Sequence, residues 1–236
     1  MNYIGIDPSI TSTGMCVNGK LFNYCYESSA KTKKFDLTKW FELADNYINY
    51  RYHDKVEFEG YVDEQMNKIQ LYKKIVSSII KDITSNINNE EETHIAIEGY
   101  SYGSSAGNLI DLVQFGTLLR NVLLNITTNI IIISPNSLKL ESCKLCYKPI
   151  EIEVGKRKKR IKIENRNNEG VSGGKFTKIE MFKALIEKED ISNFNELEKW
   201  INHLDTIKND LGKNIPKPHE DTNDAILLYM YIKANK

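Results

Sequence analysis

Asp7, Glu98, Asp221 and Asp224 are the residues of this chain whose types and spacing could do chemistry. Asp7 closes the apolar run Tyr3-Ile4-Gly5-Ile6, and Glu98 closes a second one, Ile95-Ala96-Ile97. Asp221 and Asp224 stand three apart at the head of a C-terminal apolar stretch, a spacing that puts both carboxylates on one helix face. Four carboxylates at one point repel strongly unless a cation neutralises them. Two Mg²⁺ ions, about 3.5–4 Å apart, would do so, and such a pair is a standard device for cutting phosphodiesters. In that arrangement Asp7 bridges the ions, Glu98 and Asp224 each hold one from the side, and Asp221 supplies the remaining contact; Mn²⁺ is the alternative metal. Lys175 or Lys178 would reach the scissile phosphate or the attacking water. Taken singly, an Asp after a strand is a turn residue and an Asp at a helix start is a cap. The joint order, with Ala225 behind the paired acids, is what points to catalysis.

The elements that must position these acids can be read from periodicity. Residues 2–7, Gly14 to Val17 and Leu21 to Tyr26 read as strands, with Asn18-Gly19 as a hairpin turn. The chain should therefore open on a three-stranded antiparallel meander. Residues 36–52 and 63–88 are helical in pattern, the second with Leu71, Ile75, Ile79 and Ile83 on one face and Asp63 as N-cap. A strand at 94–98 precedes a helix from Asn108 to Asn125 that is apolar over most of its surface, so it should be buried on more than one side or meet another subunit. Ile130 to Ile133 is the fifth strand. Thr177 and Glu180 form a capping box, and amphipathic helices follow near Asn195 to Asn209 and Asp221 to Ala234. This order predicts a single α/β domain over 1–236. Its mixed five-stranded sheet, three antiparallel strands then two parallel, is flanked by helices, with the first and fourth strands adjacent.

One segment departs from that order. Ile150 to Val154 alternates, Lys156-Arg157-Lys158-Lys159-Arg160 follows, and Ile161 to Glu164 alternates again. The pattern is a hairpin with five consecutive cations at its tip, inside an insertion of about 140–172. These cations would contact phosphates and not read bases. Asn165 to Gly174 is polar and Gly-rich, so a mobile stretch is expected there.

The bulk composition sets limits. The 236 residues are 41% hydrophobic and 27% charged with a net charge of zero, so any attraction to nucleic acid must come from local segregation of charge. No secretory or membrane-spanning pattern is seen, so a soluble intracellular protein is expected, with Cys16, Cys25, Cys143 and Cys146 as thiols. Cys143-x-x-Cys146 has the spacing of half a zinc knuckle, but no second pair lies nearby and the signal is weak. His219, two residues before Asp221, is placed to position water or is a plain loop histidine.

The motifs resemble those of the RuvC Holliday-junction resolvases. Ile4-Gly5-Ile6-Asp7-Pro8-Ser9-Ile10-Thr11-Ser12-Thr13-Gly14 is similar to the family's first motif and Ile97-Glu98 to the second. Gly174 with Lys178 is similar to its glycine-and-lysine motif, and Asp221-Thr222-Asn223-Asp224-Ala225 to its closing D-x-x-D-A. The resemblance covers most of the chain outside 140–172. It implies an RNase H-like, retroviral-integrase fold, a homodimer, Mg²⁺-dependent cleavage of four-way DNA junctions, and the four acids as metal ligands. Viral and phage members would suit the Lys-, Asn- and Ile-rich composition. Where bacterial members carry an aromatic three residues after the second-motif Glu, this chain has Ser101 between Tyr100 and Tyr102, either of which could stack on an unpaired base. Phe176 replaces a small residue before Lys178, leaving Lys175 as the other candidate. The helix 108–125 is the expected dimer contact. The rival readings are an RNase H-fold nuclease for flaps, branched DNA or RNA–DNA hybrids, an actin- or sugar-kinase-like ATPase, which should show a second phosphate loop, and a non-catalytic DNA-binding module.

Overall fold

The computed structural model describes residues 1–26, 29–31, 36–54, 59–100, 106–146, 149–154, 158–163, 177–188, 191–211 and 215–236. The core is one six-stranded mixed sheet. Its strands are β1 (Asn2–Asp7), β2 (Ser12–Val17), β3 (Lys20–Tyr26), β4 (Ile48–His53), β5 (Thr93–Glu98) and β6 (Ile130–Ile133), ordered β4-β3-β2-β1-β5-β6. The first three form the expected antiparallel meander, turned by Asn18 (φ 48°) and Gly19 (φ 83°), the left-handed pair that an Asn-Gly hairpin requires. β1 lies parallel to β5, with Ile6 opposite Ile97, so Asp7 and Glu98 end neighbouring strands.

The sheet has six strands, not five. Residues 36–52 do not form one helix: α1 (Thr38–Ala44) is short, and Ile48–His53 adds to β3 as a parallel edge strand. Ile48, Tyr50 and Tyr52 at alternate positions, with Asn49, Arg51 and His53 between them, suit a pleated half-buried edge better than a helix. Two further boundaries move. α2 (Tyr61–Thr84) starts before Asp63, which accepts from the Glu59 backbone N–H at 3.3 Å from inside the first turn. After β6, α4 (Pro135–Cys146) occupies part of the expected insertion. Its start is a Ser-Pro signal: Ser134 Oγ accepts from the Ser137 N–H at 3.1 Å, and Pro135 fills the first helical position.

Helices cover both faces. α2 and α3 (Ala106–Leu123) bury Leu71, Ile75, Ile79, Ile83, Phe115 and Leu119 against Ile4, Ile6, Ile95 and Ile97. On the other face lie α5 (Lys178–Ile186), a 3₁₀ turn (Ser192–Leu197), α6 (Glu198–Ile207) and α7 (His219–Ala234). The capping box of α5 forms as expected between Thr177 and Glu180. α3 is buried on one side only, with Ile110 58% and Val113 37% exposed. β7 (Pro149–Val154) and β8 (Lys158–Ile163) form a separate two-stranded sheet. Lys158, Lys159 and Arg160 are therefore strand residues and not the hairpin tip; Lys156 and Arg157 lie outside the described residues. No described helix is long and apolar enough to cross a membrane.

Candidate metal centre

Alternation along the strands decides which face each acid takes. On β1, Ile4 and Ile6 point into the α2–α3 core, so Gly5 and Asp7 face α7. On β5, Ile95 and Ile97 do the same, so Ala96 and Glu98 face α7. The small residues are what admit the helix. A Cβ at Gly5 would run into the backbone of Ala225 and Tyr229, and one at Gly14 into the backbone of Asp221. α7 thus crosses the sheet in backbone contact, with its first turns at the strand ends where Asp7 and Glu98 lie.

Asp7, Glu98 and Asp224 come together there, with one carboxylate oxygen from each lying within 4.8 Å of the others. Burial is the largest cause of their perturbation. It raises the Asp7 carboxyl well above its ordinary range, aided by the charge of Glu98 and a hydrogen bond to it. Glu98 is also raised, mainly by burial, and Asp224 is pushed up to about 7 although Lys178 pulls the other way. Lys178 is the counter-charge at this point. Its ammonium contacts Asp224 directly and lies 3.8 Å from Glu220. Burial would pull the Lys178 pKa down, but Asp224, Asp7 and Glu98 outweigh it and hold the ammonium charged.

Asp221 is close but differently engaged. Ser12 Oγ donates to one of its oxygens and Lys217 Nζ donates to the other at 2.8 Å. Neither Ser12 nor Lys217 was singled out by motif. Lys217 carried a weak signal, a cation four residues before Asp221. Counting Asp7, Glu98, Glu220, Asp221 and Asp224 against Lys178, Lys217 and Lys139, whose charge reaches Glu98, five acids face three cations. These described residues leave two negative charges when all are ionised. The donor set is all oxygen, the kind that hard cations such as Mg²⁺ or Mn²⁺ take, so these residues fit such an ion.

No protein-family model matches this chain, and no curated protein does.

Other expected site residues fall elsewhere. Tyr100 is not an open stacking platform. Its ring lies against Gly116, its hydroxyl donates to the Val113 carbonyl at 3.3 Å, and the Arg120 guanidinium sits 4.3 Å over its face. Tyr102 and Lys175 lie outside the described residues. His219 is not a water-positioning group. It is fully buried, stacked on Trp200 at 5.4 Å, with its Nε2 3.0 Å from that of His203. Cys143 and Cys146 both fall in α4, where Cys146 is buried; the Cys143 side chain is outside the described set.

Proposed function

We propose that this chain is a divalent-metal-dependent endonuclease of RuvC type, with an RNase H-like fold, that resolves four-way DNA junctions by paired nicks. The observation that carries the reading is the meeting of Asp7, Glu98 and Asp224, from three separate elements, in a buried cluster that its lysines do not neutralise. These three would hold the metal, with Asp221 as the fourth acid. A bound Mg²⁺ pair would activate water and neutralise charge on the transferring phosphoryl group. The chain's own part is positional. Ser12 and Lys217 fix the Asp221 carboxylate, and α7 pins Asp224 against the strand ends. Lys178, half-exposed and held charged, is free to trade Asp224 for a substrate phosphate oxygen once a metal supplies the missing charge.

Cations of the basic segment around 156–160 contribute phosphate contacts. The exposed Ile110 and Val113 side of α3 is the proposed homodimer contact, which would give two active sites for two equivalent strands. The test is cleavage of a labelled synthetic four-way junction by wild type and Asp7→Asn, with Mg²⁺ and with EDTA. Paired nicks only from wild type with Mg²⁺ support the reading. Equal cutting of plain duplex overturns the junction preference, and metal-independent cutting overturns the site. Flaps and RNA–DNA hybrids in the same panel separate the neighbouring nuclease activities.

A further inference from the structure

The β7–β8 ribbon segregates its charges by face, and the backbone register says how. Residues directly opposite in an antiparallel pair share a face, and the face alternates along each strand. The pairs Val154–Lys158, Ile152–Arg160 and Ile150–Lys162 therefore lie on one face, and Glu153–Lys159, Glu151–Ile161 and Pro149–Ile163 on the other. The first face carries Lys158, Arg160 and Lys162 with three β-branched aliphatic residues and no acid. The second carries Glu151 and Glu153 against the single cation Lys159. A sequence run of mixed charge thus folds into a ribbon with a cationic side and an acidic side.

We propose that the Lys158–Arg160–Lys162 face docks on duplex DNA, an arm of the branched substrate. This rests on the nucleic-acid reading of the acid cluster and names the surface that holds the arm. The spacing suits it. Cations two residues apart on a strand are about 6.8 Å apart, close to the rise of two nucleotides along one strand of the duplex. A two-stranded ribbon is also the width that the major groove admits. The acidic face repels phosphates and so fixes which side turns to the DNA. The tether suits it too. β7 begins three residues after α4, which packs on α7, and β8 leads in fifteen residues to Lys178 at the acid cluster. At about 3.3–3.6 Å per residue, the ribbon stays within about 50 Å of that cluster.

The experiment is duplex and junction binding by the full chain in EDTA, as a function of salt. Three variants are compared with wild type: Lys158→Ala/Arg160→Ala/Lys162→Ala, Lys159→Ala, and Lys158→Arg/Lys162→Arg. The triple-alanine variant should flatten the slope of log K against log salt by about 2–3, near 0.9 per lost phosphate contact. Lys159→Ala should leave the slope unchanged, and the arginine variant should keep it. Equal effects from Lys159→Ala, an unchanged slope in the triple variant, or preference for phosphatidylserine vesicles over duplex would overturn the proposal. Because binding is read without divalent ions, loss of this surface is distinguishable from loss of the nuclease reading, which Asp7→Asn tests by cleavage.

Discussion

Two buried carboxylate sites lie on opposite faces of the same sheet, and they are completed in different ways. Asp82 on α2 is 7% exposed and fully served by the chain: Arg51 donates to both of its oxygens, at 2.9 and 2.8 Å, and the Tyr24 hydroxyl donates to one at 2.9 Å. Asp7 and Asp224 are as deeply placed and Glu98 is partly buried beside them, yet Lys178 is the one ammonium in contact with any of them among the described residues. A planar guanidinium matches one carboxylate, and the account closes. One ammonium among three carboxylates leaves charge that burial makes costly. The first arrangement is what a structural ion pair looks like. The second keeps its cost unless an outside cation arrives, and sites of that kind are where function is sought.

The sharpest way to break this contrast is Asp7→Asn. Cleavage should fall by about 10³-fold, the scale for losing one electrostatic element of an active site. Without divalent ions the same variant should be more stable than wild type by on the order of 1 kcal/mol, since a buried like charge is gone. Activity assays and urea denaturation in EDTA check the two halves. A less stable Asp7→Asn would mean that the acid cluster is structural, like Asp82.

Metal addition separates the two sites next. Mg²⁺ at 100 times its dissociation constant should stabilise wild type by about 2.7 kcal/mol. It should do nothing for the Asp7→Asn/Asp224→Asn variant, and thermal melts with and without Mg²⁺ read the difference. Arg51→Ala should keep the full metal response while losing about 2 kcal/mol of stability, a value discounted for the half-exposed guanidinium. Cleavage per folded molecule should be unchanged in that variant. If Arg51→Ala abolished the metal response, the two faces would be coupled and the contrast would fail.

How much of this was readable beforehand depends on how local the signal is. Asp7 and Glu98 end apolar runs, and two parallel neighbours ending in acids need only strand alternation and adjacency, both of which the residue pattern carries. The approach of α7 was also written in the chain, in Gly5 and Gly14, but as a steric fact that appears only when a helix backbone lies over them. The Ser12–Asp221 contact was hidden because it joins residues 209 apart through side chains with no period, whereas Lys217 stands at the four-residue spacing from Asp221. β4 was missed because a six-residue edge strand of polar and aromatic residues has no core of its own and is stabilised by its neighbour β3. α4 carried its own start signal in Ser134-Pro135, which by residue type alone reads equally well as the end of β6. Tyr100 looked like an exposed stacking residue by position, and only the α3 groove at Gly116 shows that the protein itself takes up the ring.

The smallest effect lies in pH dependence, where the acid cluster has a second foil on its own helix. His219 begins α7 and is buried against Trp200, Trp40 and His203. Burial, and then His203, push its pKa down to about 3, and burial lowers His203 too. These rings are neutral in the folded chain but take up protons near 6.5 once unfolded, so their contribution is complete above 6.5 and lost as pH falls below it. The acids run the other way. With Asp224 raised to about 7, the folded chain takes up its proton before the unfolded chain does, and stability is gained as pH falls from 7 towards 4. In wild type without metal the two trends oppose each other between pH 7 and 5.5. In Asp7→Asn/Glu98→Gln/Asp224→Asn the three raised acids are gone and the histidine trend is unopposed by them, so stability should drop by about 1 kcal/mol over that interval. Denaturant titrations at stepped pH would show it. A flat profile in that triple variant would mean that His219 titrates as freely in the folded chain as in the unfolded one, and the tightly closed side of the comparison would be lost.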